Sequence, residues 1–311
     1  MLTTFLLDFS RAEDTIEWPM QVRQIHYISS ADATRQPALF YSPKTKKTCP
    51  LLVALHTWSG DYTQKNVPYA EWCIEKNWVL IHPNFRGPNN NPHATGSDKV
   101  IKDIICAVDY AKANANIDTE RIYLIGGSGG GHAALLMAGR CSDIWAGVSA
   151  WVPITDLKQW YLQCKKTGRK YADDIVNSCG GIPGESLSVD IEYKNRSPVT
   201  YLQNAIGLPL DINAGIMDGH TGSVPVSHSL RAFNILAAEQ DRISESDIKY
   251  FVEKAKVPPH LKTLVKDPTY GQKQPLFRRT CRKTRLTIFD GGHEIVHKAA
   301  LTWLEKQKKQ P

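Results

Sequence analysis

Ser128, His293 and Asp218 are the residues whose surroundings in the sequence best suit covalent chemistry. Ser128 is the centre of Gly126-Gly127-Ser128-Gly129-Gly130, a match to G-x-S-x-G. The motif follows the apolar run "RIYLIGG" (121–127) and leads into "HAALLMAGR" (132–140), so the pattern predicts strand, tight turn and helix. Such a turn strains the serine backbone and brings strand and helix almost into contact. The positions two before and two after the serine must therefore be very small, and Gly126 and Gly130 meet that demand. The helix dipole favours negative charge beside the exposed hydroxyl. A phosphate cradle is the competing reading of so many glycines. A Walker loop continues with Lys and then Ser or Thr, whereas His132 and Ala133 follow here. A dinucleotide fingerprint sits on the first strand of its unit, and this loop comes after several strands.

A serine hydroxyl needs a base, and the base needs an acid to orient it. "TIFDGGHEIVHKAALTWL" (287–304) offers His293 between a strand-like lead and the last helix; His297 falls inside that helix. "DINAGIMDGHTG" (211–222) offers Asp218 at the end of another strand-like lead. Asp156, just past the preceding strand, is the rival acid. His132 is expected to pack beneath the elbow, and His220 either to line the pocket or to cap its loop. Acyl transfer also needs oxyanion donors. The Gly129 amide is one candidate, and the Thr57 or Trp58 amide of "LHTWSGDY" (55–62) is the other.

The elements that must hold these groups alternate along the chain. "LLVALH" (51–56), "NWVLIHP" (77–83), "RIYLIGG", "AGVSAWVPI" (146–154) and "LPLDINAGI" (208–216) read as strands buried on both faces of a parallel sheet. Helical stretches separate them at 69–76, 99–114, 132–140 and 224–239, and another closes the chain at 294–309. "IHYISS" (25–30) and "PALFYS" (37–42) have no helix between them and predict a hairpin within an N-terminal extension of about 45 residues. The whole predicts an α/β fold: a single domain over 1–311 with a mostly parallel sheet flanked by helices. Segments 156–205 and 240–283 exceed simple connections and are expected to form a cap or lid.

Composition narrows the function classes. With 42% hydrophobic and 22% charged residues the chain is an ordinary globular one, and no apolar run is long enough to span a membrane. The start, "MLTTFLLDFSRAED", lacks a basic leader region; cytoplasmic residence is the default expectation, with export if the chain is a processed form. The net charge of +7 sits partly in "KTKK" (44–47) and "RRTCRKTR" (278–285), read as solvated loops and tails; no motif supports nucleic-acid binding. None of the seven cysteines forms a CxxC pair, which argues against zinc, and Cys164 with Cys179 could be bridged in an exported form.

With these residues in view, the chain over about 45–311 resembles the α/β-hydrolase superfamily. It is most similar to the branch that joins prolyl-oligopeptidase-type catalytic domains with acetyl xylan esterases and related carbohydrate esterases. "LHTWSGDY", "PNFRG" (83–87), "DTERIYLIGGSGGGHAAL" (118–135), "AGIMDGH" (214–220) and "FDGGHE" (289–294) carry the likeness. It implies Ser128 as nucleophile, Asp218 as acid and His293 as base, with no metal or organic cofactor. Two departures matter. His56-Thr57-Trp58 replaces the usual His-Gly or Tyr-Gly-Gly, and about 45 upstream residues are too few for a propeller. Both favour a stand-alone carboxylesterase acting on acetylated or feruloylated plant polysaccharide or oligosaccharide, or another small ester. A serine peptidase of the same fold and a non-catalytic binding protein are the rivals. Trp58, Trp151, Trp160, Tyr161 and His220 are the expected substrate contacts, flat rings suiting a sugar face or an aromatic acyl group. Polar groups of "NFRGPNNNPHATGSD" (84–98) would meet sugar hydroxyls. The oligomeric state is left open.

Overall fold

The apolar runs become the strands of one nine-stranded sheet in the computed structural model, which describes residues 17–309. The leader reading rests on residues 1–14, which lie outside the described residues. In chain order the first half contains β1 (Arg23–Ile28), β2 (Arg35–Tyr41), β3 (Cys49–Leu55), α1 (Val67–Lys76), β4 (Val79–Pro83), α2 (Asp98–Asn114), β5 (Ile117–Gly127) and α3 (Gly129–Arg140). The second half contains β6 (Gly147–Trp151), α4 (Leu157–Lys166), α5 (Tyr171–Cys179), α6 (Leu187–Asn195), β7 (Leu210–Gly215), α7 (Ser227–Leu236), α8 (Glu245–Lys254), β8 (Pro275–Cys281), β9 (Thr284–Phe289) and α9 (His297–Glu305). Spatial order is β1-β2-β4-β3-β5-β6-β7-β9-β8. The central strands run parallel, and the antiparallel pairings are β1–β2, β2–β4 and β8–β9. Every residue of β3, β4, β6 and β7 is buried, as strands covered by helices on both faces require.

The differences from the sequence reading have local causes. β4 starts at Val79 because Asn77 ends α1 in the left-handed region, with φ 56°. α3 starts at Gly129 rather than 132, because its glycines let the first turn lie on neighbouring backbone: a Cβ on Gly130 would come within 2.7 Å of the Leu55 and His56 carbonyls. The β1–β2 hairpin joins the main sheet, since β2 pairs with β4 and leaves β1 as the edge strand.

Segment 156–205 folds into α4, α5, α6 and two short 3-10 turns. Leu157, Trp160, Ile175 and Tyr193 from it gather with Trp58 into an apolar cluster distinct from the main core. Segment 240–283 is only partly an insertion: after α8 it supplies edge strand β8. "RRTCRKTR" is accordingly the β8–β9 hairpin and not a tail. Arg278 pairs with Asp267 at 2.9 Å and Arg285 with the fully buried Asp211 at 2.7 Å. The arginines hide the strand by breaking its apolar alternation. All seven cysteines are free, and burial pushes the Cys164 and Cys179 thiols up to about 12. No helix among the described residues is long and apolar enough to cross a membrane.

Candidate active site

Ser128 stands between β5 and α3 with φ 56° and ψ −119°, a conformation that non-glycine residues seldom adopt and that costs about 1–3 kcal/mol. The surroundings hold it there. Its N–H donates to the Trp151 carbonyl at 2.9 Å, and its carbonyl accepts from His132 N–H at 2.8 Å. A Cβ on Gly126 would collide with the Gly130 carbonyl, so this turn exists only with glycine at that place.

His293 lies on the loop after β9 and Asp218 on the loop after β7, adjacent parallel strands whose ends point the same way. His293 Nε2 is 2.8 Å from Ser128 Oγ, and its Nδ1 is 2.8 Å from Asp218 Oδ2. Asp218 is 2% exposed, and its Oδ1 accepts from the amides of Gly219 at 3.0 Å and Val224 at 3.2 Å. The neighbouring Glu294 is turned away, accepting from Gly292 N–H and pairing with Lys273 at 2.7 Å. This relay can take a proton from the Ser128 hydroxyl and stabilise the imidazolium that results.

Of the two early-loop amides, Thr57 N–H is engaged by Gln64 Oε1 at 2.8 Å. Trp58 N–H meets no acceptor among the described residues and lies beside the elbow, 2.5 Å from a Cβ built on Gly129. The Gly129 and Trp58 amides thus adjoin one another next to Ser128. Asn89 braces this loop: its backbone N–H and its Nδ2 donate to the Trp58 carbonyl at 2.8 and 3.2 Å. No single sequence signals Gln64 or Asn89, because their partners are backbone groups brought close only by folding.

Several expected contacts lie elsewhere. Trp151 is fully buried in the main core against Tyr270 and Phe289, with its indole N–H on Ser149 Oγ at 2.9 Å. Trp160 is fully buried too, Trp58 is 2% exposed, and their rings meet edge to face at 4.7 Å. Tyr161 is buried against Tyr193. These rings pack the second cluster, and aromatic composition alone does not say which face of an element a ring takes. His220 is exposed, and its Nε2 lies 2.7 Å from the Val252 carbonyl of α8, which removes it from the pocket lining. Asp156 caps α4 through Gln159 N–H, so the rival acid is occupied. Arg86 is taken up by Asp103 at 2.6 Å and Asp32 at 2.9 Å, which withdraws it from any sugar contact. Burial pushes His132 down to about 4, and His297, beside Tyr69, likewise to about 4. Among the described residues no group of three His, Cys, Asp or Glu side chains is arranged to hold a metal ion.

Strand order, the elbow and the acid and histidine on successive later loops define an α/β-hydrolase fold. A family model described as the prolyl oligopeptidase family matches residues 69–254, and the chain belongs to that family. Acylamino-acid-releasing enzyme 1 of Oryza sativa subsp. japonica is 26% identical over 223 residues, covering 65% of this chain and 27% of that one. Feruloyl esterase B of Thermothelomyces thermophilus is 22% identical over 167 residues, covering 46% of this chain and 57% of that one. Among solved structures, Pyrococcus horikoshii acylaminoacyl peptidase superposes with a TM-score of 0.57 at 18% identity, over 69% of this chain and 34% of that one. A Mycobacterium tuberculosis puromycin-hydrolyzing peptidase gives 0.60 at 15% identity, over 91% and 38%. The chain therefore spans about a third or less of the acylaminoacyl enzymes it matches.

Proposed function

We propose that the protein is a serine carboxylic-ester hydrolase acting on an acylated carbohydrate, acetylated or feruloylated. The observation that carries the reading is the continuous hydrogen-bonded line from Ser128 through His293 to Asp218, with both links at 2.8 Å. In the reaction His293 Nε2 removes the Ser128 proton as Oγ attacks the ester carbonyl. The amides of Gly129 and Trp58 receive the oxyanion. The alcohol leaves with the proton from His293. Water, deprotonated by the same imidazole, then attacks the acyl-enzyme and releases the acid and Ser128. Similarity to a feruloyl esterase supports the ester reading. We further propose that α4–α6 form a cap beside the site.

Similarity to acylamino-acid-releasing enzyme 1 and the family match support a second reading, amide hydrolysis by the same residues on a peptide. The two differ in the leaving group. Acetylated xylo-oligosaccharide, methyl ferulate, an N-acetylated dipeptide and a prolyl peptide, compared by kcat/KM, separate them. The ester reading expects the best ester to exceed the best peptide by at least about a hundredfold, some 2.7 kcal/mol in the barrier. A peptide as the best substrate overturns it in favour of the peptidase.

A further inference from the structure

Two side chains of the α4–α5 segment grip consecutive carbonyls of the loop that carries Asp218. Trp160 Nε1 donates to the Ser223 carbonyl at 2.9 Å, and Arg169 Nη2 donates to the Gly222 carbonyl at 2.7 Å. The next residue, Val224, gives its N–H to Asp218 Oδ1. Gly222 itself presses on the relay: a Cβ there would collide with Asp218 Oδ1 and come within 2.5 Å of His293 Cβ. Whatever fixes the Gly222 and Ser223 carbonyls therefore fixes a donor to the acid and the wall behind the base.

The same segment holds the other side of the site. Asp174 Oδ2 accepts from Trp58 Nε1 at 3.2 Å, and Trp58 carries the unengaged amide beside Gly129. Its ring is enclosed by Trp160 at 4.7 Å and Tyr171 at 6.5 Å, so rotation of the indole would disturb the backbone it hangs from. Arg169 gives its guanidinium to the Gly222 carbonyl, while the neighbouring Lys170 pairs with Asp174 at 3.5 Å. Positioning by these contacts is worth having, because a hydrogen bond into a site must be aimed before the reaction begins.

We propose that Trp160 and Arg169 are positioning residues for the acid loop, and Asp174 for the oxyanion loop, so that the α4–α5 segment is a fixed clamp that sets both halves of the site. The inference rests on the reading of Ser128, His293 and Asp218 as an acyl-transfer relay. Turnover of p-nitrophenyl acetate by Ser128→Ala tests that reading separately: undiminished turnover defeats it, whatever the clamp variants do.

The clamp is tested in the full chain with Trp160→Phe, which keeps a ring in the buried slot and deletes the N–H, and with Arg169→Met, Asp174→Ala and Asp174→Asn. The expected result is kcat for p-nitrophenyl acetate lowered about tenfold or more in the first three, with KM within twofold. Asp174→Asn, which keeps an acceptor for Trp58, recovers most of the loss in Asp174→Ala. Lower melting temperatures with unchanged kcat would reduce these contacts to structural fastening and overturn the proposal. A raised KM with kcat preserved in Arg169→Met would make Arg169 a substrate contact, which also overturns it.

Discussion

Asp218→Asn changes one atom, and the structure says which way the new amide must turn. Asp218 Oδ1 accepts from two backbone donors, Gly219 N–H and Val224 N–H, while Oδ2 faces His293 Nδ1. An asparagine that put its NH2 toward those amides would set donors against donors in a site that is 2% exposed. Its carbonyl oxygen therefore stays with Gly219 and Val224, and its NH2 points at His293. Nδ1 must then accept, the ring proton moves to Nε2, and Nε2 can no longer take the proton of Ser128 Oγ. Mis-set tautomers of this kind lower kcat about 10⁴-fold, or about 5.4 kcal/mol. Because the swap is nearly isosteric and both backbone bonds survive, the melting temperature should stay within a few degrees. The assay is steady-state hydrolysis of p-nitrophenyl acetate beside circular dichroism. A folded Asp218→Asn protein whose kcat falls less than tenfold would refute the assignment of Asp218 and the tautomer argument together.

Two further outcomes follow from groups outside the relay. His82, His132 and His228 are fully buried, and burial pushes them down to about 4, 4 and 3. Unfolded, each would bind a proton near pH 6.5, so their contribution is intact above that pH and is lost as pH falls toward 4; near pH 5 the three together give a slope of about 4 kcal/mol per pH unit. Urea midpoints measured from pH 7 to 4.5 should fall steeply, and a flat profile contradicts the burial of these rings. Arg86→Met leaves the fully buried Asp103, which now accepts from Arg86 Nε and Nη2 and from Ser29 Oγ, without its counter-charge, and should cost about 3–5 kcal/mol in denaturant titration; a loss under 1 kcal/mol would mean that the Ser29 hydroxyl alone satisfies Asp103.

The parallel α/β architecture was legible because fully buried strands such as "LLVAL" leave unmistakable apolar runs. β8 was illegible because Arg278 and Arg279 interrupt its pattern while their charges are taken up locally, Arg278 by Asp267 and Arg279 by the Asp241 and Arg242 carbonyls. In the site, residue type and chain order singled out the groups that the fold brings within 2.8 Å of one another. The same reasoning misplaced Trp151, Trp160 and Tyr161. A tryptophan near a strand end looks alike whether it meets a ligand or a neighbouring helix, and here an indole N–H satisfied by Ser149 or Ser223 marks each Trp as packing. Thr57 and Trp58 could not be told apart without Gln64, whose side chain returns from seven residues away to occupy one amide of the pair.

The central claim is that Ser128 is a nucleophile activated by His293. Its most direct test is reaction with a fluorophosphonate probe followed by peptide mass spectrometry. The account predicts a single adduct on the peptide containing Ser128, absent in Ser128→Ala and formed at least a hundredfold more slowly in His293→Ala. An adduct on another residue, or an unmodified Ser128 in the folded protein, would contradict it.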